Sequence, residues 1–138
     1  CRTRPSKKLS ENEAKFVFKQ IALGVKHIHE FNYCHRDLKM TNILIDSSGL
    51  VKIIDFGFAC PSKEKLKMYC GTPSYMAPEM VMKKSYYGQA MDIWALGVVL
   101  FKMLTGEYTF GSKRLFNTRR RGRSKFTEQH CEQSNLVP

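Results

Sequence analysis

The chain has 138 residues, of which 43% are hydrophobic and 25% charged, and its net charge is +11. This composition is typical of a soluble globular protein with enough chain for one modest core, so we expect one domain or part of one. The longest apolar run, residues 91–104, is shorter than the roughly 20 residues of a membrane span and contains Asp92 and Lys102, which excludes a transmembrane helix. Because Cys1 is not followed by a charged and then apolar leader, we also expect no secretory signal.

The first predicted element is a helix. Ser10 and Glu13 form the S-x-x-E pattern of a capping box, in which the serine oxygen satisfies a free helix N–H and the glutamate reaches back. Apolar side chains then recur at helical spacing, at Ala14, Val17, Phe18, Ile21, Val25 and Ile28. The pattern predicts a helix over residues 11–30 that docks by one apolar face.

Two short apolar segments follow, residues 43–45 and 50–54, separated by a turn sequence that ends at Gly49. β-branched segments on either side of such a turn predict a β-hairpin. Residues 55–79 are polar and are interrupted by three prolines and two glycines. We therefore expect a long, structured loop there.

The last predicted helix lies over residues 91–104 (MDIWALGVVLFKML), which are apolar nearly all round. Gly106 follows as a plausible C-terminal cap, and a helix of this kind should be buried on most sides. From Glu107 onward the periodicity fades and the final stretch is polar. We expect loop or disorder there.

Positive charge is concentrated in two places. The segment from Lys113 to Lys125 holds seven bases in thirteen residues with no acid, and a second basic cluster runs from Arg2 to Lys8. Such clusters imply acidic partners. Binding of nucleic acid or an anionic surface through Lys113 to Lys125 is one hypothesis. A solvated face is the plainer interpretation, because only Phe116 and Phe126 supply aromatic side chains nearby.

The cysteines are odd in number and irregularly spaced, at positions Cys1, Cys34, Cys60, Cys70 and Cys131. This pattern indicates reduced thiols in an intracellular protein, cytoplasmic or nuclear, rather than a disulfide framework. Cys34 beside His35, with His27 and His29 upstream, could suggest a metal site. We favour core or loop positions, because the ligands are not paired as in a structural zinc site.

The stretch HRDLKMTNIL, which begins at residue 35, carries the candidate chemistry. In an antiparallel hairpin Asn42, before the first strand, and Asp55, after the second, lie near each other at the open end. An amide and a carboxylate suit Mg²⁺, which takes its remaining ligands from water and phosphates. Asp37 can accept a hydroxyl proton and Lys39 can neutralise a moving phosphoryl group, so the grouping fits phosphoryl transfer.

These motifs resemble those of protein kinases. Residues 35–39 (HRDLK) with Asn42 are similar to the kinase catalytic loop, residues 55–57 (DFG) to the magnesium-binding triplet, and residues 77–79 (APE) to the end of the activation segment. The resemblance extends over about residues 9–106. It implies an α+β, protein-kinase-like fold: a mostly helical C-terminal lobe with a small β-hairpin.

The resemblance implies that ATP and Mg²⁺ are the cofactors and that proteins are the substrates. Asp37 would be the base, and Lys39 the contact to the γ-phosphate. Asn42 and Asp55 would be the magnesium ligands, and Leu44 would form the floor of the adenine pocket.

Other positions would support this site. His35 and Phe56 would stack in the packed column of the active state, and Asp92 would brace the catalytic-loop backbone. Arg36 would pair with an activating phosphate. The family's pattern also assigns structural or regulatory positions to Gly57 and Glu79.

Lys39 together with Thr72, the latter near the substrate-docking end of the activation segment, is similar to serine/threonine rather than tyrosine kinases. Phe58 is the large residue that in this family favours serine as acceptor. Residues 70–79 (CGTPSYMAPE) and 92–110 (DIWALGVVLFKMLTGEYTF) most resemble the calmodulin-dependent and AMP-activated group of kinases.

The resemblance has gaps. No G-x-G-x-x-G occurs in these residues, so we expect the upper, N-terminal lobe to be absent from this chain. The expected division is residues 1–106 as a partial kinase domain and residues 107–138 as a basic, irregular tail. Thr109 stands where the family usually has proline, and a frameshift, altered splicing or incomplete reading frame would explain the poor match after Gly106.

The activation segment also departs from the pattern. Lys67 and Met68 stand where relatives often carry a phosphorylatable threonine, which leaves Ser62, Tyr69 or the acidic Glu64 as substitutes. Cys60 and Cys70 flank this segment as candidate redox-sensitive residues.

Two functions stay open at this point. The first is a serine/threonine protein kinase, of which this 138-residue chain would not be competent by itself. The second is a non-catalytic, truncated lobe that binds or competes with an intact kinase.

Overall fold

The computed structural model describes residues 8–109. The elements in chain order are α1 (Glu11–Glu30), β1 (Tyr33–Cys34), β2 (Ile43–Ile45), β3 (Val51–Ile53), β4 (Cys60–Pro61), α2 (Pro78–Val81) and α3 (Gly88–Thr105), with 3₁₀ turns at Met40–Asn42 and Pro73–Tyr75. The strands form two small antiparallel sheets, so the predicted mostly helical α+β architecture is confirmed. The predicted basic run at 113–125, most of the cluster at 2–8 and the tail beyond residue 109 lie outside the described residues.

α1 begins at the predicted capping box. The Ser10 hydroxyl accepts from the backbone N–H of Glu13 at 3.4 Å, and the Glu13 carboxylate accepts from the backbone N–H of Ser10 at 3.0 Å. The helix buries Ala14, Ile21 and Val25 on one face. The predicted helix over residues 11–30 is therefore confirmed, including its docking by one apolar face.

The predicted hairpin is also confirmed. β2 and β3 pair antiparallel with Ile43 opposite Ile53. Gln20 of α1 holds the hairpin with both ends of its amide: Nε2 donates to the carbonyl of Gly49 at 3.1 Å, and Oε1 accepts from the N–H of Val51 at 3.1 Å. Gly49 has a φ of +85°, a conformation that favours glycine in the turn.

A second ladder, of two residues on each strand, was not predicted. β1 and β4 pair antiparallel with Cys34 opposite Cys60, and the N–H of Ser62 donates to the carbonyl of Asn32 at 2.8 Å. Strands this short have no readable periodicity, because two residues fit any hydrophobic pattern. The ladder attaches the start of the long loop to the segment that precedes His35.

α3 forms the centre of the hydrophobic core. Its buried residues in the core cluster are Ala95, Leu96, Val98, Val99 and Met103, and they pack with the buried face of α1 and with Leu38 and Tyr75. Burying a large aliphatic side chain contributes roughly 1.5–3 kcal/mol, so this contact stabilises the fold substantially. The helix ends as predicted: Gly106 has a φ of +77° and donates its N–H to the carbonyl of Lys102 at 2.9 Å.

The prediction that this helix is buried on most sides is confirmed, but within the described residues one apolar side stays open. Ile93 is 58% exposed, and Phe101 and Leu104 are each 39% exposed. The described elements that pack on α3 (α1, β1 and the turn at Pro73–Tyr75) leave this apolar side open. Between residues 8 and 109, no helix is both long and apolar enough to cross a membrane.

Replacing either of two glycines in α3 by alanine should change the stability of the protein, in opposite directions at the two positions. A Cβ at Gly88 would overlap Cys34 Sγ and lie 2.9 Å from Cys34 Cβ, whereas a Cβ at Gly97 would meet nothing within 4 Å. Gly88→Ala should lower the free energy of unfolding by about 1–3 kcal/mol, because the start of α3 must move away from β1. Gly97→Ala, as the matched control, should raise it by about 0.5–1 kcal/mol. Urea denaturation of the full chain measures both, and an unchanged stability of Gly88→Ala would contradict this packing.

Candidate active site

Three polar side chains meet at the start of the catalytic-loop motif. The Asp37 carboxylate accepts from Lys39 Nζ at 2.7 Å on Oδ2 and from the Thr72 hydroxyl at 2.7 Å on Oδ1. Lys39 Nζ also donates to the Thr72 hydroxyl at 3.1 Å. Lys39 and Thr72 each immediately precede a 3₁₀ turn, and these two turns fix their positions beside Asp37. The structure thus brings together residues 33–35 positions apart in the chain.

Asn42 completes this cluster from the end of the first 3₁₀ turn. Its Nδ2 donates to the backbone carbonyl of Asp37 at 2.9 Å and to Asp37 Oδ2 at 3.3 Å. Both side chains are 5% exposed, so the hydrogen bonds replace lost hydration and hold the carboxylate in one orientation. Because the amide nitrogen is used in this way, the Asn42 side-chain oxygen is the atom left to bind a cation.

Asp55 lies at the open end of the hairpin, as its position after β3 predicted. The N–H of Ile54 donates to the carbonyl of Asn42 at 3.0 Å, so the backbones that carry Asn42 and Asp55 are adjacent. Asp55 is exposed and has a φ of +64°. Its Oδ1 accepts from the N–H of Gly57 at 3.3 Å, and a Cβ on Gly57 would lie 3.2 Å from that oxygen. Glycine here therefore leaves room for the carboxylate.

This donor set fits Mg²⁺. The residues that the structure describes contain no group of three or more histidine, cysteine, aspartate or glutamate side chains that could enclose a metal ion. One carboxylate and one amide oxygen suit a hard cation that keeps waters and takes further ligands from phosphates. Asn42 and Asp55 are the residues that would hold it.

The buried Asp92 of α3 fixes the backbone that leads to Asp37. Its Oδ2 accepts from the N–H of His35 and its Oδ1 from the N–H of Arg36, each at 2.8 Å. His29 Nε2 of α1 donates to Oδ2 at 2.9 Å. Arg36 has a φ of +65°, which for a non-glycine residue is unfavourable by roughly 1–2 kcal/mol, and the bond to Asp92 helps to hold it there.

His35 is fully buried and adopts one tautomer. Its Nδ1 accepts from the backbone N–H of Asp37 at 3.2 Å, so Nε2 carries the proton and donates to the carbonyl of Ile54 at 3.1 Å. Its ring meets Phe56 edge to face with centroids 4.9 Å apart. These contacts connect the catalytic loop to the magnesium-binding triplet through one imidazole.

The Arg36 side chain is buried and has contacts that the sequence did not predict. Its Nε donates to the carbonyl of Phe58 at 2.6 Å. Burial alone lowers the pKa of Arg36, but the nearby Tyr86 hydroxyl and the Cys70 and Cys60 sulfurs hold that pKa above its ordinary value. The guanidinium therefore stays charged, with a neutral phenol among its partners.

The sequence predicts that both Tyr86 and Tyr87 are exposed loop residues, and for Tyr86 this prediction is wrong. It is 3% exposed, and its hydroxyl donates to the carbonyl of Met68 at 2.7 Å. Its backbone also pairs with Leu66 in an isolated β-bridge. Tyr87, its neighbour, is 54% exposed as expected. The doubled tyrosine in the sequence gives no signal for which of the two is buried.

Two further residues of the site were not predicted. The Tyr75 hydroxyl accepts from the backbone N–H of Met40 at 3.4 Å, and burial raises the pKa of Tyr75 above its ordinary value. Tyr75 belongs to the motif similar to a substrate-docking segment, but its bond to the catalytic loop is a tertiary contact. His29 was considered only as a possible metal ligand, and the structure shows it as a partner of Asp92.

Two of the predicted positions lie on other elements. Leu44 is in β2 opposite Lys52 and is 51% exposed. Glu79 is the second residue of the short helix α2 and is partly buried. The contact of Leu44 to adenine and the structural or regulatory role of Glu79 stay predictions.

Comparison with known proteins decides the family. The sequence profile described as "Protein kinase domain" matches residues 2–136. The chain belongs to the protein kinase family. Its α+β fold with a mostly helical lobe is consistent with the lower lobe of a kinase domain.

Similar proteins are serine/threonine kinases. A probable serine/threonine-protein kinase of Dictyostelium discoideum is 47% identical over 74% of the chain, and the probable serine/threonine-protein kinase HSL1 of Saccharomyces cerevisiae is 47% identical over 78%. The cAMP-dependent protein kinase catalytic subunit of Dictyostelium discoideum is 46% identical over 75%. The chain spans only 7%, 7% and 16% of these relatives, respectively. They do not single out the calmodulin-dependent and AMP-activated group, so that assignment stays a prediction.

The contact between Arg36 and Tyr86 predicts a difference between two adjacent tyrosines of this kinase. Tyr86→Phe removes a buried hydroxyl that donates to the carbonyl of Met68 and lies near the Arg36 guanidinium, so we expect the free energy of unfolding to fall by about 1–2 kcal/mol. Tyr87→Phe is the matched control, because its ring contact with Lys65 Nζ, 5.4 Å from the centroid, does not need the hydroxyl. Urea denaturation of the full chain measures both, and equal stabilities of the two variants would refute the contact.

Proposed function

We propose that this chain supplies the catalytic loop, the magnesium-binding loop and the activation segment of a protein kinase that transfers the γ-phosphate of ATP to serine or threonine hydroxyls. One observation carries the proposal: an oriented, buried carboxylate accepts hydrogen bonds from an ammonium and from an alcohol. The relatives named above support the serine/threonine assignment. ATP and protein substrates follow from the family resemblance.

Asp37 is the proposed base. A protein substrate presents a hydroxyl, and the Thr72 hydroxyl at 2.7 Å from Asp37 Oδ1 shows that this carboxylate can bind an alcohol at hydrogen-bonding distance. In the proposed reaction the substrate hydroxyl donates to the same carboxylate, which takes up the proton as the oxygen attacks phosphorus. Asn42 keeps the carboxylate in place, so little reorganisation is needed when the substrate arrives.

Lys39 is the proposed contact to the γ-phosphate. Its ammonium lies between Asp37 and Thr72, so it can neutralise charge on the transferred group without leaving the cluster. Its bond to Thr72 also links the catalytic loop to the activation segment. The protein substrate is proposed to dock there, near Thr72 and the turn at Pro73–Tyr75.

The nucleotide is proposed to contact the hairpin. Leu44 is the residue proposed to meet adenine, and Asn42 and Asp55 would hold Mg²⁺. When bound, Mg²⁺ supplies positive charge that neutralises the phosphates. We further propose an intracellular, cytoplasmic or nuclear site of action, as the cysteine pattern suggested.

A second candidate is a non-catalytic binding module. The observation that favours it is the apolar surface of the hairpin, where Leu44, Ile45 and Leu50 are each about half exposed, at 51%, 51% and 50%. Such a surface fits a partner lobe as well as a nucleotide. The two candidates differ in whether phosphoryl transfer occurs at all.

Replacing the base separates these candidates. In the complete protein, Asp37→Asn should lower kcat for peptide phosphorylation by about 10²–10⁴ because the amide cannot accept the proton, while the melting temperature stays close to wild type. Asp46→Asn, the same chemical change in the exposed hairpin turn, should keep wild-type activity. A phosphate-transfer assay with labelled ATP measures both. Full activity of Asp37→Asn would reject this residue as the base.

The dependence of activity on magnesium tests the proposed metal site at Asn42 and Asp55. Asp55→Asn in the complete protein should raise the Mg²⁺ concentration for half-maximal activity about tenfold or more, because a charged ligand is lost. Titration of activity with Mg²⁺ at fixed ATP measures the shift. A protein that transfers no phosphate at any Mg²⁺ concentration would favour the binding module instead.

A further inference from the structure

Two cysteines from different segments face each other across the unpredicted ladder between β1 and β4. Cys34 lies directly opposite Cys60, and their sulfur atoms are 3.7 Å apart. Directly opposed residues in antiparallel strands have Cα atoms about 4.5–5.5 Å apart, which is within the range of about 4.4–6.8 Å found for disulfides. Both thiols are free. The backbone is therefore already arranged for a bond between them.

From this geometry we propose that Cys34 and Cys60 are an oxidative modification site, at which a peroxide converts the two thiols into a disulfide. The sequence pattern associates Cys60 with Cys70, because both flank the activation segment. The structure instead places Cys60 opposite Cys34, the residue before His35. This proposal does not depend on the kinase activity proposed above.

The two cysteines differ in their exposure to solvent. Cys34 is fully buried, and it is held against α3, since a Cβ on Gly88 would lie 2.9 Å from Cys34 Cβ. Cys60 is partly exposed. An oxidant that arrives from solvent therefore reaches Cys60 before the buried Cys34. Cys60 is thus the first thiol to react.

The Cys34 thiol serves as the second, resolving group. Burial, together with its hydrogen bond to Cys60, raises the pKa of Cys34 to about 12, so it remains a neutral thiol until Cys60 is oxidised. Its Sγ donates to the carbonyl of Cys60 at 3.4 Å, which already directs it to that residue. To reach a bond length of about 2.05 Å the sulfurs must approach by less than one bond length, and the partly exposed Cys60 side chain has the freedom to move.

The reaction balances with hydrogen peroxide as the oxidant. The Cys60 sulfur attacks one peroxide oxygen, the O–O bond breaks, and water leaves, which gives a sulfenic acid on Cys60. The Cys34 sulfur then attacks the Cys60 sulfur, the S–O bond breaks, and the departing hydroxide takes the Cys34 proton as a second water. Two thiols are oxidised to one disulfide while one peroxide is reduced to two waters.

The disulfide would covalently attach the activation segment to the residue that precedes the catalytic loop. Without it, the two segments are joined here by a ladder of only two residues on each strand. A crosslink between residues 26 positions apart should suppress local opening of this ladder. As a consequence, the catalytic loop and residues 55–57 would be held together and could not move apart when the ladder opens.

Peptide mapping tests the proposal on the full chain. The protein is treated with graded hydrogen peroxide, its remaining thiols are blocked with N-ethylmaleimide, and a tryptic digest without reductant is analysed by mass spectrometry. We expect one crosslinked peptide pair that contains Cys34 and Cys60 and that disappears with dithiothreitol. Cys70→Ser, the matched control, should retain this pair, and Cys60→Ser should lose it.

Hydrogen exchange provides a readout on the unmodified sequence, because Cys34→Ser could fail to fold at a fully buried position. Backbone amides of β1 and β4 should exchange at least about tenfold more slowly after peroxide and recover with dithiothreitol. A crosslink of Cys60 to Cys70 or to another cysteine, or oxidation of Cys60 to sulfinic acid without any crosslink, would overturn the proposal.

Discussion

The Asp92 carboxylate is the interaction on which the rest of the site depends. It is fully buried in α3, yet its hydrogen-bond partners come from the catalytic loop, 56 and 57 positions away, and from α1, 63 positions away. A buried carboxylate is stable only when its oxygens are hydrogen-bonded, and each hydrogen bond to a charged group contributes about 1.5–3 kcal/mol. The fold therefore cannot form its core without also positioning His35 and Arg36.

This constraint explains how an unfavourable backbone conformation is maintained. Arg36 has a positive φ, and its N–H is held by Asp92 on one side while its Nε is held by the Phe58 carbonyl on the other. Gly71 packs against the same residue, because a Cβ there would lie 2.6 Å from the Arg36 carbonyl oxygen. The conformation at Arg36 turns the chain so that Asp37, the next residue, reaches Lys39 and Thr72.

The parts that could be predicted from the sequence are those in which the signal is local. The capping box at Ser10 and the hairpin around Gly49 are determined by residues within a few positions of each other, and the structure contains both. The proximity of Asn42 to Asp55 could be predicted from the hairpin alone. The catalytic-loop motif identified Asp37 and Lys39 because their spacing on one loop already places the two groups together.

The parts that could not be predicted depend on contacts between distant segments. The β1–β4 ladder has no pattern of its own, and Tyr86 is buried through tertiary contacts with a cluster that includes Met76 and Met91. The open side of α3 is a different case. Apolar composition correctly indicated burial on most sides, but it could not show which side stays uncovered within residues 8–109, as at Ile93.

The two acidic residues of the site differ in how strongly the protein holds them. Asp37 is 5% exposed and accepts bonds from Lys39, Thr72 and Asn42, so its orientation is set before any substrate binds. Asp55 is exposed, and the side-chain bond described for it is the long one from Gly57 at 3.3 Å. The proposed role of Asp37 as the base would benefit from a fixed orientation, because a misplaced acceptor slows proton transfer. The proposed metal ligand, Asp55, can be looser, because a bound cation would draw the carboxylate into place.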